Sequence, residues 1–423
     1  MPFSFNTSLS GLNASSNALN VIGNNIANAN TIGFRSGSIT FADVFASSQG
    51  ARLNGAGNSM QIGNGVMVGA IHTNFSQGNL NESGSPLHAG IQGNGFFVVR
   101  NASGTTNFTR AGDFTVNNQG FLVASNGSQV QGYMAQGGAI PSGAPLSALQ
   151  LPLGQMLAPQ TSTEATFRMN LSASSRTGAE FHSPVQVYDS LGNQRSLDLT
   201  YTKQADGSYL MSGTLDGNPV QLSVNGGAAS TAPASFVFDS GGNLTSPTSV
   251  SIVPDQTQLD GAVLPAIELN LRQTNPDGTP GDFNITGYAS NQGSTISSTI
   301  QDGFASGELN GAIVDPGGNI YGVFSNGQSR IVGQYALANF NSPEGLGRAG
   351  GNMFTDTTSS GAATIGAPGS GGRGSIAGGY VEQSNVDITN EFVELIQAQR
   401  GFQANSRVIT TLNQTFQDLL QIV

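Results

Sequence analysis

Cysteine is absent from this 423-residue chain. No disulfide framework and no thiolate metal site can therefore form, and nothing can be trapped by oxidation during passage out of a cell. Charge is the second scarcity. Asp, Glu, Lys and Arg make up 9% of the residues, against roughly 25% in an ordinary globular protein. Gly, Asn, Ser, Gln and Thr take their place, giving a surface with many hydrogen-bonding groups and little self-repulsion. Such a surface suits a protein packed against copies of itself, and equally an extracellular β-rich protein. The net charge is −11, and Lys and Arg form no cluster. Nucleic-acid binding, which needs a basic stripe to neutralise phosphates, is excluded, and an anionic membrane surface would repel the chain. No run is long and apolar enough to span a bilayer. The first charged side chain is Arg35, and the apolar residues before it are interleaved with Asn and Ser. That is not a secretory signal peptide, so any export is expected to proceed without a cleaved signal of that kind.

What is present is helical at the ends and strand-like between. Phe5, Leu12, Leu19 and Ile26 are spaced by seven near the N-terminus, as are Leu395, Phe402, Ile409, Phe416 and Val423 near the C-terminus. This spacing lines side chains along one seam of a helix. Asp387 is a good N-cap for the second helix, with Glu391 and Glu394 near the positive end of its dipole; that helix would be roughly 50 Å long. The second seam column is weak: Gln399, Ser406 and Asn413 at one end, Ser16 and Gly23 at the other. Isolated helices of this composition should be marginal. Two arrangements follow: ends that become helical when neighbouring copies supply buried surface, or an ordinary intramolecular helix pair capping a β domain.

Residues 46–65 are rich in Gly, Ser and Asn and read as a loop or linker. Short alternating strands follow at Gly95–Arg100, Asn107–Arg110, Asp113–Val116 and Gly120–Val123, joined by Asn- and Gly-rich turns. Pro141, Pro145, Pro152 and Pro159 suggest a boundary. A second strand set includes Val185–Tyr188, Ser196–Tyr201 and Phe236–Phe238, and a third resumes after about residue 288, with Ile320–Phe324 and Val332–Leu337. A Gly-rich stretch, 361–379, precedes the last helix. The expected fold is mainly β with terminal α-helices, in discontinuous nested domains: paired terminal helices plus two antiparallel β domains. The expected boundaries are 1–33 with 380–423 for the helical core, 34–75 for the linker, 76–160 with 288–379 for the inner β domain, and 161–287 for the inserted outer one.

The candidate chemistry is thin. Asp189-Ser-Leu-Gly-Asn193, Asp239-Ser-Gly-Gly-Asn243 and Asp315-Pro-Gly-Gly-Asn319 share a D-x-x-G-N form. A calcium loop needs several oxygen side chains and an acidic closing ligand, so β-turns are the better account. Gly369, Gly371 and Gly374 satisfy G-x-G-x-x-G, but in a linker of a chain with 59 glycines and outside any βαβ unit. His72, His88 and His182 are the only histidines, and no pair lies at metal-ligand spacing on a helix. There is no G-x-S-x-G elbow, and no carboxylate pair can be nominated. The expectation is a non-enzyme without cofactor or metal. Phe41-Ala-Asp-Val-Phe45, two aromatics straddling an acid, is either local packing or a short recognition peptide.

Longer patterns lie at both ends. Ile22-Gly-Asn-Asn-Ile-Ala-Asn-Ala-Asn-Thr-Ile-Gly-Phe-Arg35 resembles the N-terminal signature of the flagellar rod and hook protein family, through Asn24, Asn25, Ile26, Asn28, Gly33 and Phe34. Glu382-Gln-Ser-Asn-Val-Asp-Ile-Thr-Asn-Glu391, running on through Gln397-Ala-Gln-Arg-Gly-Phe402, is similar to its C-terminal signature, through Asn385, Asp387, Gln399 and Arg400. Gly93–Val99 and Phe108–Phe114 are similar to its inner β domain. Val187-Tyr-Asp-Ser-Leu-Gly-Asn193 and the inserted middle domain favour the hook branch over the distal rod, although the 46–65 linker is reminiscent of the distal rod. The resemblance implies an extracellular structural subunit that polymerises with itself into a flexible tube passing motor torque to the filament. It further implies type III export without cleavage, with Phe41 and Phe45 recognised at the export gate. The implied partners are the distal rod protein, the hook cap protein and the hook–filament junction protein. A rigid rod subunit and, remotely, a polysaccharide-acting β protein are the alternatives.

Overall fold

Period-two alternation governs most of the chain, and the fold follows it. The structure, a computed structural model, describes residues 2–44, 47–48, 61–274 and 280–422. It is mostly β, with one long helix at each end: α1 (Pro2–Ala27) and α2 (Ile388–Ile422). The chain divides into two units. One holds residues 1–153, 311–323 and 329–423; the other holds 154–310 and 324–328.

The second unit is a sandwich of two six-stranded sheets. In Glu164–Asn170, Ala165, Phe167 and Met169 point inward and their neighbours outward. Leu197, Leu199 and Tyr201 do the same in Gln194–Lys203, as do Tyr209 and Met211 in Tyr209–Leu215. The two inner faces meet in one apolar core. One sheet is antiparallel throughout. The other is mixed, because Glu164–Asn170 pairs antiparallel with Thr295–Gln301 but parallel with Ile267–Leu269 and Ile285–Thr286. Strands that return to it from about a hundred residues away are not tied to it by hairpins, so their direction is free. Asp189, Asp239 and Asp315 close tight turns, the last in the first unit. In each, the Asp Oδ1 accepts the N–H of the Asn four residues on, and Oδ2 accepts its side-chain amide. Gly192, Gly242 and Gly318 supply the positive φ. These carboxylates are already occupied by their own loops.

In the first unit Phe96–Arg100 is central, pairing with Thr106–Thr109, Gln129–Met134 and Leu337–Asn339. Its alternation places Phe96 among Phe75, Phe340 and Phe354, and Phe97 on the other face against Phe114 and Tyr335. Both faces are thus filled by edge-on aromatic contacts. Two short ladders then draw distant parts of the chain together: Ala89–Gln92 with Ser375–Gly378, and Leu80–Glu82 with Tyr380–Glu382. Within the stretch expected to be linker, Gly37–Asp43 and Val66–Thr73 form an antiparallel ribbon. Its Ile39, Val66 and Val68 are half-buried, and the ribbon packs on α1.

Phe236 is fully buried in the sandwich, edge-on to Tyr201 at 5.7 Å. Phe236→Ala should cost about 3–5 kcal/mol, read as a lower urea midpoint for the sandwich transition of the full chain. An unchanged midpoint would mean that the core can collapse onto the missing ring.

Candidate assembly site at the paired chain ends

The chain leaves α1 through a fixed turn. Asn28 Nδ2 donates to the Asn24 carbonyl and side-chain oxygens at 2.9 and 2.8 Å. Gly33 then takes φ +69°, and a Cβ there would run into the Arg110–Ala111 backbone. Its N–H donates to the Glu382 carbonyl at 2.7 Å. Only glycine meets both demands. The next two residues are buried. Phe34 lies under the Arg348 guanidinium, 5.7 Å from its ring centroid, and Arg35 enters an ionic cluster.

That cluster is Arg35, Arg110 and Glu382. Arg35 Nη2 donates to Glu382 Oε1 at 2.7 Å, and Arg110 Nη1 donates to Oε2 at 3.2 Å. Glu382 also accepts the Gly78 N–H at 2.8 Å, and Arg110 Nη2 donates to the Gly93 carbonyl. Side-chain exposure is 5% for Arg110 and nil for Arg35 and Glu382. Burial pulls the Arg110 guanidinium down to about 10; Glu382 opposes that shift and Arg35 adds to it. Two cations share one anion, so removing the anion would strand both charges.

Around the cluster, two asparagines act as clamps. Asn25 is buried, donates to the Gly37 carbonyl at 2.8 Å and to Glu391 Oε1 at 2.9 Å, and accepts the Gly37 N–H. One side chain thus joins α1, the ribbon and α2. Asn385 accepts the Ser36 N–H at 2.8 Å and donates to the Asn74 and Ser76 carbonyls. Asp387 caps α2, its Oδ1 accepting the Thr389 N–H at 2.9 Å. Arg348 donates to the Arg35 carbonyl at 2.9 Å and to Thr73 Oγ1 at 3.2 Å.

The helices pair antiparallel. Gly11 lies against Asn405, Ser15 against Gly401, and Asn25 reaches Glu391. The buried positions of α1 are Ser8, Ala14, Ala18, Ile22 and Asn25. The intramolecular seam is therefore made mainly of small residues, which let the backbones approach closely. The apolar column runs beside it: Phe5, Leu12, Leu19 and Ile26 are half-buried, as are Leu395, Phe402 and Ile409, while Phe416 is exposed. Gln399 and Arg400 are exposed. Phe41 lies on the ribbon with 45% of its surface open; Phe45 and Val423 lie outside the described residues. The structure thus gathers Asn25, Gly33, Phe34, Asn385 and Asp387 around one junction and leaves Gln399, Arg400 and Phe41 on the surface. Sequence reasoning missed Glu382, Arg110, Glu391 and Arg348 as partners. The available signal was scarcity: in so lightly charged a chain, Arg35, Glu382 and Glu391 all fall inside the terminal signatures.

Among the described residues no group of three or more His, Asp and Glu side chains could hold a metal ion, and no helix is long and apolar enough to cross a membrane. The arrangement is that of a β protein whose two ends are latched together and carry a helical pair.

Comparison with known proteins agrees with that class. Residues 5–35 match the model described as flagella basal body rod protein, and residues 377–422 match flagellar basal body rod FlgEFG protein C-terminal. Residues 90–166 match the flagellar hook protein FlgE/F/G D1 domain, and 160–304 the flagellar basal body protein FlaE D2 domain. The chain is 34% identical to the flagellar hook protein FlgE of Treponema pallidum, over 98% of each chain. It is 32% identical to that of Salmonella typhimurium, over 99% of this chain and all of that one. The crystal structure of Helicobacter pylori flagellar hook protein FlgE2 shares the fold, with a TM-score of 0.52, 15% identity, and coverage of 72% of this chain and 100% of that one. The chain belongs to the flagellar hook protein family.

Glu382→Ala should destabilise the first unit by about 3–5 kcal/mol, because both guanidiniums stay buried without their anion. A loss under about 1 kcal/mol in chemical denaturation would show that the cluster is dispensable. Glu391 supplies a pH test. Burial raises its carboxyl above the ordinary glutamate range, and Glu394 and Asp387 push the same way against the Asn25 hydrogen bond. Its contribution to stability is full below the unfolded value, about 4.3, and is lost as pH rises through the higher folded value. Glu391→Gln should remove that dependence and make the helix pair more stable than wild type at pH 7, measured as helical ellipticity against temperature at pH 4 to 8.

Proposed function

We propose that this hook subunit polymerises through its paired terminal helices and ribbon into a tube that carries torque and bends. One observation supports the reading most strongly. Large exposed apolar side chains concentrate on this module, at Leu9, Phe41, Met67, Ile71, Phe392, Val393, Ile396, Val408, Phe416 and Leu420. The strand body of the same unit exposes few, chiefly Leu153, Ile313 and Tyr380. Residues 2–27 also carry no charge at all, whereas a helix face meant for water carries several. Such surfaces call for contact with other copies.

The inner and outer β domains would form the tube's outer shells, the outer one reaching past the expected residue 287 to include Thr295–Gln301, which pairs with Glu164–Asn170. Their low-charge polar surfaces exchange hydrogen bonds at little net cost, so neighbouring subunits can slide as the tube bends. The family is structural, and catalysis has no part in this reading. The remaining roles rest on the family resemblance: export by the flagellar type III apparatus to the hook outside the cell, contact with the distal rod, hook cap and hook–filament junction proteins, and recognition of Phe41 and Phe45 at the export gate. The exposure of Phe41 suits that last role.

Deleting residues 1–30 should abolish polymerisation while the β domains stay folded. Electron microscopy of the purified proteins at high concentration tests this: wild type should give curved tubes and the truncated chain none. Tubes from the truncated chain would refute assembly through the paired ends.

A further inference from the structure

The helices of the pair are unequal. α1 has 26 residues and α2 has 35. The contacts of Gly11 with Asn405, Ser15 with Gly401 and Asn25 with Glu391 fix one antiparallel register along the pair. In that register Pro2 falls opposite Gln414. Residues 415–422 have no α1 residue opposite them among the described residues, over about two turns, or roughly 12 Å.

This overhang is a continuation of the covered seam. Leu395, Phe402 and Ile409 are half-buried along the length that α1 reaches. Phe416, the next member of the column, is 44% exposed, and Leu420 beyond it is 79% exposed. The chemistry is unchanged from one turn to the next; only the cover stops. Two threonine hydroxyls hereabouts bond their own helix backbone. Thr411 Oγ1 donates to the Arg407 carbonyl at 2.9 Å and Thr415 Oγ1 to the Thr411 carbonyl at 2.6 Å. Asp418 is the only charge in 415–422.

α1 offers a matching surface. It bears no charge, and the Ser10 and Ser15 hydroxyls fold back onto the Thr7 and Gly11 carbonyls. Its small-residue face is used by its own α2, but Leu9 is 40% exposed, and Phe5 and Leu12 are only half-covered. An apolar seam that outruns its own partner needs a second helix of the same kind, and the chain's own α1 is already engaged. We propose that residues 415–422 of one subunit dock on the Leu9 flank of α1 in a second copy, splicing successive helix pairs in a staggered, overlapping row.

The inference rests on the proposed assembly through the paired ends, and its test separates the two. A chain ended after Gln414 should remain folded, lose only the helicity of the missing turns, and show a critical concentration for tube formation raised at least tenfold. The double variant Phe416→Ser, Leu420→Ser, which keeps the helix length, should do the same. Because the chain has no cysteine, Phe416→Cys protein co-assembled with Leu9→Cys protein should give a mixed disulfide dimer on mild oxidation of the polymer. An unchanged critical concentration in both overhang variants, or cross-links between two 416 positions in place of 416 to 9, would overturn the splice. If those variants assemble normally while deletion of residues 1–30 prevents assembly, the splice fails and assembly through the ends stands.

Discussion

Glu382 holds the two ends of the chain in one place. Its carboxylate is shared by Arg35, which lies 347 residues away in sequence, and by Arg110 from the strand body. Its carbonyl receives the Gly33 N–H. Around this acid the chain leaving α1 and the chain entering α2 become neighbours, and from that proximity come the Asn25 and Asn385 clamps and the register of the helices. Closing so long a loop carries an entropic cost that grows only logarithmically with length, so a few well-made buried contacts can sustain it. The cluster also imposes specificity. Two guanidiniums taken from water tolerate only a correctly placed anion, and a slipped pairing of the ends would leave them without one.

The parts of this structure that were legible in the sequence are those decided locally. The D-x-x-G-N turns, the Asp387 cap and the alternating strands each depend on residues within a few positions of one another. Gly33 stood out only as part of the family signature, because the reason for glycine there, the approach of Arg110 and Ala111, is tertiary. The helical seam was harder. A search for heptads favours large apolar residues, and it selected Phe5, Leu12, Leu19 and Ile26. The intramolecular contact runs instead through Ser8, Gly11, Ala14 and Ala18, whose virtue is small size. The ionic cluster could not be read at all, because nothing in the local pattern of Arg35, Arg110 or Glu382 says which charges will share a cavity.

The two units divide the physical labour differently. The sandwich buries one core between its alternating strands, and its Asp189 and Asp239 are satisfied by their own turns. The helical module is the reverse. Its internal seam is lined by small side chains that bury little area, while its larger apolar residues remain half-covered or open. In a subunit built this way, the proposed assembly would cover the apolar residues that the helical module leaves open.

The uncharged character of α1 reaches beyond packing. Contacts made by a helix with no ionised side chain are not screened by dissolved salt, and kosmotropic salts strengthen apolar burial, so a tube held through it would keep its cohesion from dilute water to brine. Temperature is a different matter. Apolar association weakens on cooling, and for a surface this poor in ion pairs nothing electrostatic compensates. Cold, and not salinity, is the environmental variable to which such a joint is sensitive.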